Sequence, residues 1–342
     1  MNCKKKEMTK TRSIRSNVLV FLTAMLAACL LSACGSGSPS SADKDKLQIV
    51  TTIFPEYDWV MNLLGAGPAE AEVTMLLDSG VDLHSFQPTA ADILKISTCD
   101  LFIYVGGGSD AWVDDALKEA TNKDMIVINL LETLGDAVKE EEVIEGMQEE
   151  EHDHDHGKDH DHEAELDEHV WLSLKNAVVL TEKIAEALQK LDPDHADTYQ
   201  KNAEAYKEKL TTLDEAYQKA VSEASVHTLL FGDRFPFRYL VDDYGLSYYA
   251  AFVGCSAETE ASFETITFLA RKLDELSLSA VMTTERADHR IAETIIQSTQ
   301  AKNQKILSMD SMQSTTAKDI GNGTSYLSLM EKNLAVLKDA LK

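Results

Sequence analysis

Short apolar runs alternate along this chain with stretches whose apolar residues recur every three or four positions. "LQIVTT" (47–52), "EVTMLL" (72–77), "DLFIYVG" (100–106) and "MIVINL" (125–130) read as buried strands. Between them, "PEYDWVMNLLG", "TAADILKIS" and "SDAWVDDALKEA" carry helical spacing. After Ser225 the same grammar returns, with strands "HTLLFG", "YYAAFVG", "AVMTTE" and "KILSMD" and a closing helix "SYLSLMEKNLAVLKDAL". Strands alternating with helices build parallel sheets with right-handed crossovers. The expected fold is therefore α/β, in two lobes, each with a parallel four-stranded sheet flanked by helices.

Between the lobes, Ala196, Tyr199, Ala203, Tyr206, Leu210, Leu213, Tyr217 and Val221 follow one another at spacings of three and four. That is one face of a single helix. Some thirty residues at about 1.5 Å each reach about 45 Å, the height of both lobes, so one long rigid helix should join them. The chain divides accordingly into an N-terminal lobe (47–144), a polar loop (145–166), a helix closing that lobe (167–193), the linking helix (194–225) and a C-terminal lobe (226–342).

The first 46 residues do not fit this grammar. Six Lys/Arg and one Glu precede a fourteen-residue apolar run, "VLVFLTAMLAACLL", too short for a comfortable membrane span. "LSAC" follows, and then the polar tether "GSGSPSSADKDK". Residues 1–33 resemble a bacterial lipoprotein signal, which implies that Cys34 becomes the lipidated first residue, with 34–46 as a flexible tether. The formal net charge of −26 becomes five units more negative once that signal is removed. So acidic a surface excludes nucleic acid as a partner and concentrates cations. Cys99 and Cys255 alone remain in the body of the chain, too few for a disulfide framework.

In open parallel sheets, ligands bind beyond the carboxyl ends of the strands. There this sequence places His84, Asp233 with Arg234, Cys255 with Glu258 and Glu260, and Glu285. Imidazole, thiol and carboxylates at strand ends of both lobes describe a metal cleft between them; nitrogen and sulfur suit zinc, and carboxylate-rich sets suit manganese. The stretch "EEEHDHDHGKDHDHEAELDEHVWLSL" holds six of the ten histidines. Its alternating His152, His154, His156, His160 and His162 offer exchangeable ligands without fixed geometry, a collector of zinc rather than the tight site. "VGGGSDAW" lacks the Lys-Ser/Thr continuation of a phosphate loop, and neither H-E-x-x-H nor G-x-S-x-G occurs, so binding is expected rather than catalysis.

"TIFPEYDWV", "LHSFQP", the acidic His-rich loop, "DEHVWLSL", "DPDHADTYQKNAEAY", "VDDYGL" and "YLSLMEKNLAVLKDAL", in that order, resemble the zinc and manganese solute-binding lipoproteins of ABC importers. The resemblance implies His84 as first ligand, His169 as second, with Glu168 where proline is usual, and Glu285 as a late acidic ligand. The third ligand, a His or Glu, would fall at Arg234, which has no lone pair to offer. Cys255 or Asp233 is expected in its place, Cys255 ahead because thiolate binds zinc strongly. It also implies a monomer anchored by lipid to the outer face of the bacterial membrane, passing Zn2+, or alternatively Mn2+, to a permease and its ATPase. A surface metal buffer or adhesin-like protein is a second reading, and a metal-dependent hydrolase a minor third.

Overall fold

Among the described residues, eight strands form two four-stranded sheets whose strand pairings are all parallel. A computed structural model describes residues 46–65, 71–148, 165–256 and 260–342. Cys34 with its signal and tether, Glu258, and His152, His154, His156, His160 and His162 lie outside the described residues. In the first lobe β1 (Leu47–Thr51), β2 (Ala71–Met75), β3 (Leu101–Tyr104) and β4 (Ile126–Asn129) lie in the order β2-β1-β3-β4. In the second, β5 (Thr228–Phe235), β6 (Ser247–Val253), β7 (Ala280–Thr284) and β8 (Lys305–Met309) repeat it as β6-β5-β7-β8. All of β3 is buried, as a strand covered on both faces requires.

The first lobe's helices are α1 (Phe54–Leu64), α2 (Ala90–Thr98), α3 (Val113–Lys118), α4 (Leu130–Leu134) and α5 (Leu174–Leu191). Local chemistry sets their starts: Thr89 and Asp92 form a reciprocal capping box on α2, and the Ser173 hydroxyl accepts the Asn176 N–H to start α5. The linking helix α6 (Ala196–Ser222) follows a 3-10 turn at Pro193–His195. At 27 residues it is about 40 Å long and contains every periodic position from Ala196 to Val221. Tyr199, Ala203, Tyr206, Leu210, Leu213, Tyr217 and Val221 are all buried along one stripe.

The second lobe adds α7 (Arg238–Tyr244), α8 (Phe263–Glu275), α9 (Arg290–Ser298), α10 (Ala317–Gly321) and α11 (Tyr326–Ala340). The helix α6 packs on α1 and α5 of one lobe and on α7 and α11 of the other. The lobes also meet directly. Tyr326, at the start of α11, donates its N–H to Asp58 on α1 (3.2 Å) and its hydroxyl to the Trp171 carbonyl (2.7 Å). Trp171 Nε1 in turn donates to the Ser311 carbonyl (2.9 Å), and Trp59 meets the Tyr326 ring edge-on. One buried apolar cluster consequently runs through both lobes.

The ends of the polar loop differ from expectation. Residues 145–148 are fastened to the second lobe: Met147 is buried, Gln148 N–H donates to the Ala251 carbonyl, and the Gln148 side chain accepts Ser262 N–H. At the far end, Glu140 and Leu166 form an antiparallel bridge. Charge counting along the sequence hides the apolar side chain of Met147, which is buried.

Burial pushes the Asp58 carboxyl up to about 6, despite hydrogen bonds from Tyr326 N–H, Tyr206 and Asn62. A raised acid favours the protonated fold, so its contribution is full below its unfolded value and is lost as pH rises through 6. Asp58→Asn does not titrate. In thermal melts it should therefore gain on the wild type as pH rises from about 4 to about 7, by on the order of 2–3 kcal/mol.

Candidate metal centre

His84 lies in the loop after β2, on a 3-10 turn at Leu83–Ser85. The buried Leu83 anchors that turn, and the Asp82 carboxylate accepts the His84 N–H (3.1 Å). His169 immediately precedes a second 3-10 turn, Val170–Leu172, whose three side chains are wholly buried. Pinned this way, the imidazole of His169 is fully buried. Cys255 follows β6 with only Gly254 between them. A Cβ at Gly254 would fall 2.9 Å from the Phe235 carbonyl and 3.0 Å from His169 Cε1, so only glycine lets the strand end abut the ring.

His84 Nε2 and His169 Nε2 lie 3.2 Å apart. With Cys255 Sγ they form the one converging set of His, Cys and carboxylate donors among the described residues, all within 4.8 Å of one another. The other ring nitrogens face acids: His169 Nδ1 is 3.0 Å from Asp167 Oδ1, and His84 Nδ1 is 2.7 Å from Ser109 Oγ and 3.3 Å from Glu168 Oε2. With protons at both Nδ1 atoms, the two Nε2 lone pairs would face each other. That contact is repulsive unless a donor or cation sits against it; Gln313 Nε2, at 3.1 Å from His169 Nε2, is one such donor. Burial pushes the Cys255 thiol well up, and the charges of Glu141, Glu168 and Asp167 push it further. The thiol therefore keeps its proton at neutral pH and releases it only to a strongly bound cation.

The structure does not bring the expected carboxylates to this point. Asp233 accepts the Thr284 N–H and hydroxyl (2.9 and 2.5 Å), tying β5 to β7. Glu285 accepts Ser311 N–H and the hydroxyls of Ser311 and Ser314, which fastens the loop after β8. Both are spent on bonds that hold strand ends together. Strand β5 runs on past an irregularity to Phe235, so Asp233 and Arg234 lie within its last turn of pleat rather than in a loop. Arg234 crosses the cleft to pair with Asp82, two residues before His84. Burial alone would raise the Asp82 carboxyl, and the Arg234 charge outweighs it and holds it below the usual range.

Sequence reasoning missed Asp167, Ser109, Gln313 and Glu141, whose carboxylate accepts the Cys255 N–H (2.9 Å). The acid doublet before His169 is a usable signal, because ligating imidazoles commonly hold a carboxylate at the second nitrogen. Nothing local marks Gln313.

Residues 49–340 match the family model described as ZnuA, zinc-uptake complex component A, periplasmic. The chain is 33% identical over 317 residues to the zinc-binding lipoprotein AdcA of Streptococcus pneumoniae, a match covering 93% of this chain and 60% of that protein. It thus spans less than two thirds of that relative's length. It is 32% identical over 322 residues to the high-affinity zinc uptake system protein ZnuA of Bacillus subtilis, covering 93% of this chain and 96% of the relative. The crystal structure of the Zn(II)-bound ZnuA-like domain of S. pneumoniae AdcA superposes with a TM-score of 0.67 at 30% identity, over 86% of this chain and 99% of that one.

Cobalt(II) added to the wild type should give a sulfur-to-metal charge-transfer band that Cys255→Ser lacks. The same variant should lose more zinc affinity, by chelator competition, than the roughly 10–100-fold usual for an outer-shell residue. An unchanged band and affinity would remove Cys255 from the centre.

Proposed function

The chain belongs to the family of zinc-uptake complex component A, and from that premise we propose that it captures extracytoplasmic Zn2+ and delivers it to the permease of an ABC importer and its ATPase. In this reading His84, His169 and Cys255 hold the ion. The observation that carries it is the apposition of two imidazole Nε2 atoms 3.2 Å apart beside a thiol, a two-nitrogen, one-sulfur set. Such donors suit zinc over manganese, which prefers oxygen. The family relation supports a receptor that carries its metal as cargo rather than an enzyme. Cys34 anchors a monomer by lipid to the outer face of the bacterial cell membrane, and His152, His154, His156, His160 and His162 collect zinc.

Release follows from limited movement. A core shared by both lobes, with α6 packed on each, opposes wide opening, so the ion leaves through limited lobe tilting and loop movement. Small-angle scattering should give the same radius of gyration with and without zinc, and a clear contraction on loading would contradict this.

Competition titration should show Zn2+ displacing Mn2+ at one tight site. Removing 149–164, while keeping the fastened residues 145–148, should leave that site intact and abolish weaker additional binding. Tight manganese binding unmoved by zinc would overturn the assignment of cargo.

A further inference from the structure

The glycine run at residues 105–110, "VGGGSD", is no phosphate loop, yet it lies against the candidate centre. Asp110 closes it by accepting the N–H groups of Val105 and Gly106 (both 3.0 Å), which bends Gly106 and Gly107 to φ of +93° and +80°. What the bend receives is Glu168. A Cβ at Gly107 would fall 2.8 Å from Glu168 Cγ and nearer still to Oε1, so only glycine leaves room for that side chain. Ser109 N–H donates to Oε1 (2.8 Å), while the Ser109 hydroxyl reaches His84 Nδ1.

Glu168 is 3% exposed, and its other oxygen, Oε2, has no hydrogen-bond partner among the described residues. That oxygen faces His84 Nδ1 at 3.3 Å. An ionised carboxylate buried without a compensating charge costs several kcal/mol, so a cradle built for one implies a charge to meet it. The Cys255 thiolate would cancel only half the charge of a divalent ion. Asp167 brings a further negative charge to the His169 side, and Glu168 brings one to the His84 side.

We propose that Glu168, seated in the 106–110 cradle, is a positioning residue for the cargo ion. It holds His84 as the Nδ1–H tautomer, aims the Nε2 lone pair at the ion and supplies local negative charge where the family's third ligand is replaced by Arg234. Glu168 is thus a specific device of this chain, at a position where the resemblance expects a proline that could neither accept a proton nor carry charge. The inference rests on the reading that His84, His169 and Cys255 hold zinc.

The test compares the full chain with Glu168→Gln, which keeps the shape and removes the charge, and with Gly107→Ala, which keeps the charge and displaces the carboxylate. Two quantities are measured: zinc affinity by chelator competition, and the His84 tautomer by 15N ring spectra of the zinc-free protein. Both variants should bind zinc roughly 10–100-fold more weakly, and His84 should shift toward the Nε2–H form that an unconstrained histidine side chain favours. Unchanged affinity would overturn the proposal, and so would weakened affinity with an unchanged tautomer, which would mean a general loss of fit. His84→Ala and Cys255→Ser separate the two levels. Wild-type zinc binding in these two would refute the site itself, whereas loss in them with an unaffected Glu168→Gln would refute only the role of Glu168.

Discussion

Trp171 and Tyr326 form the seam on which the arrangement of the cleft depends. The Tyr326 hydroxyl holds the Trp171 carbonyl, Trp171 Nε1 holds the Ser311 carbonyl, and both aromatic side chains are wholly buried. Trp171 lies two residues from His169, and Ser311 two residues from Gln313. The same bonds that join the lobes therefore set the imidazole opposite the loop that touches it. With α6 stiffening both lobes from behind, the distance across the cleft is a property of the core rather than of a hinge.

Electrostatics at the cleft follow from that rigidity. Asp167, Glu168, Glu141 and the Cys255 thiol crowd the rings of His84 and His169 in a largely buried space. A low local dielectric makes both their mutual repulsion and their attraction for a cation large. Burial pushes Glu168 up, while the His84 ring beside it and the hydrogen bond from Ser109 outweigh that and hold the group below the usual range. Arg234 has no lone pair to offer a cation; by pairing with Asp82 it links the β5 end to the His84 loop, a lobe-to-lobe tie made by charge.

Much of the architecture was legible in advance because it is local. Every strand read from an apolar run is present, and the stripe on α6 is buried at seven of its eight positions, Ala196 alone being only partly covered. The convergence of donors at the candidate centre was legible in part. His84, His169 and Cys255 come together, whereas Asp233 and Glu285, equally plausible at strand ends, turn to Thr284 and to the Ser311 and Ser314 loop. A carboxylate at a strand end is an acceptor for any nearby N–H, and composition cannot tell which it meets.

The sequence by itself determined the elements, their order, their caps and the doubled α/β plan, since these rest on periodicities of two and 3.6 and on neighbours within four residues. Only the tertiary structure decided which donors converge. His84 and His169 are 85 positions apart, and Gln313 lies 144 beyond His169. Their meeting depends on the registers of two sheets and on where Gly107 and Gly254 let backbone approach side chain, which are contacts that no local pattern records.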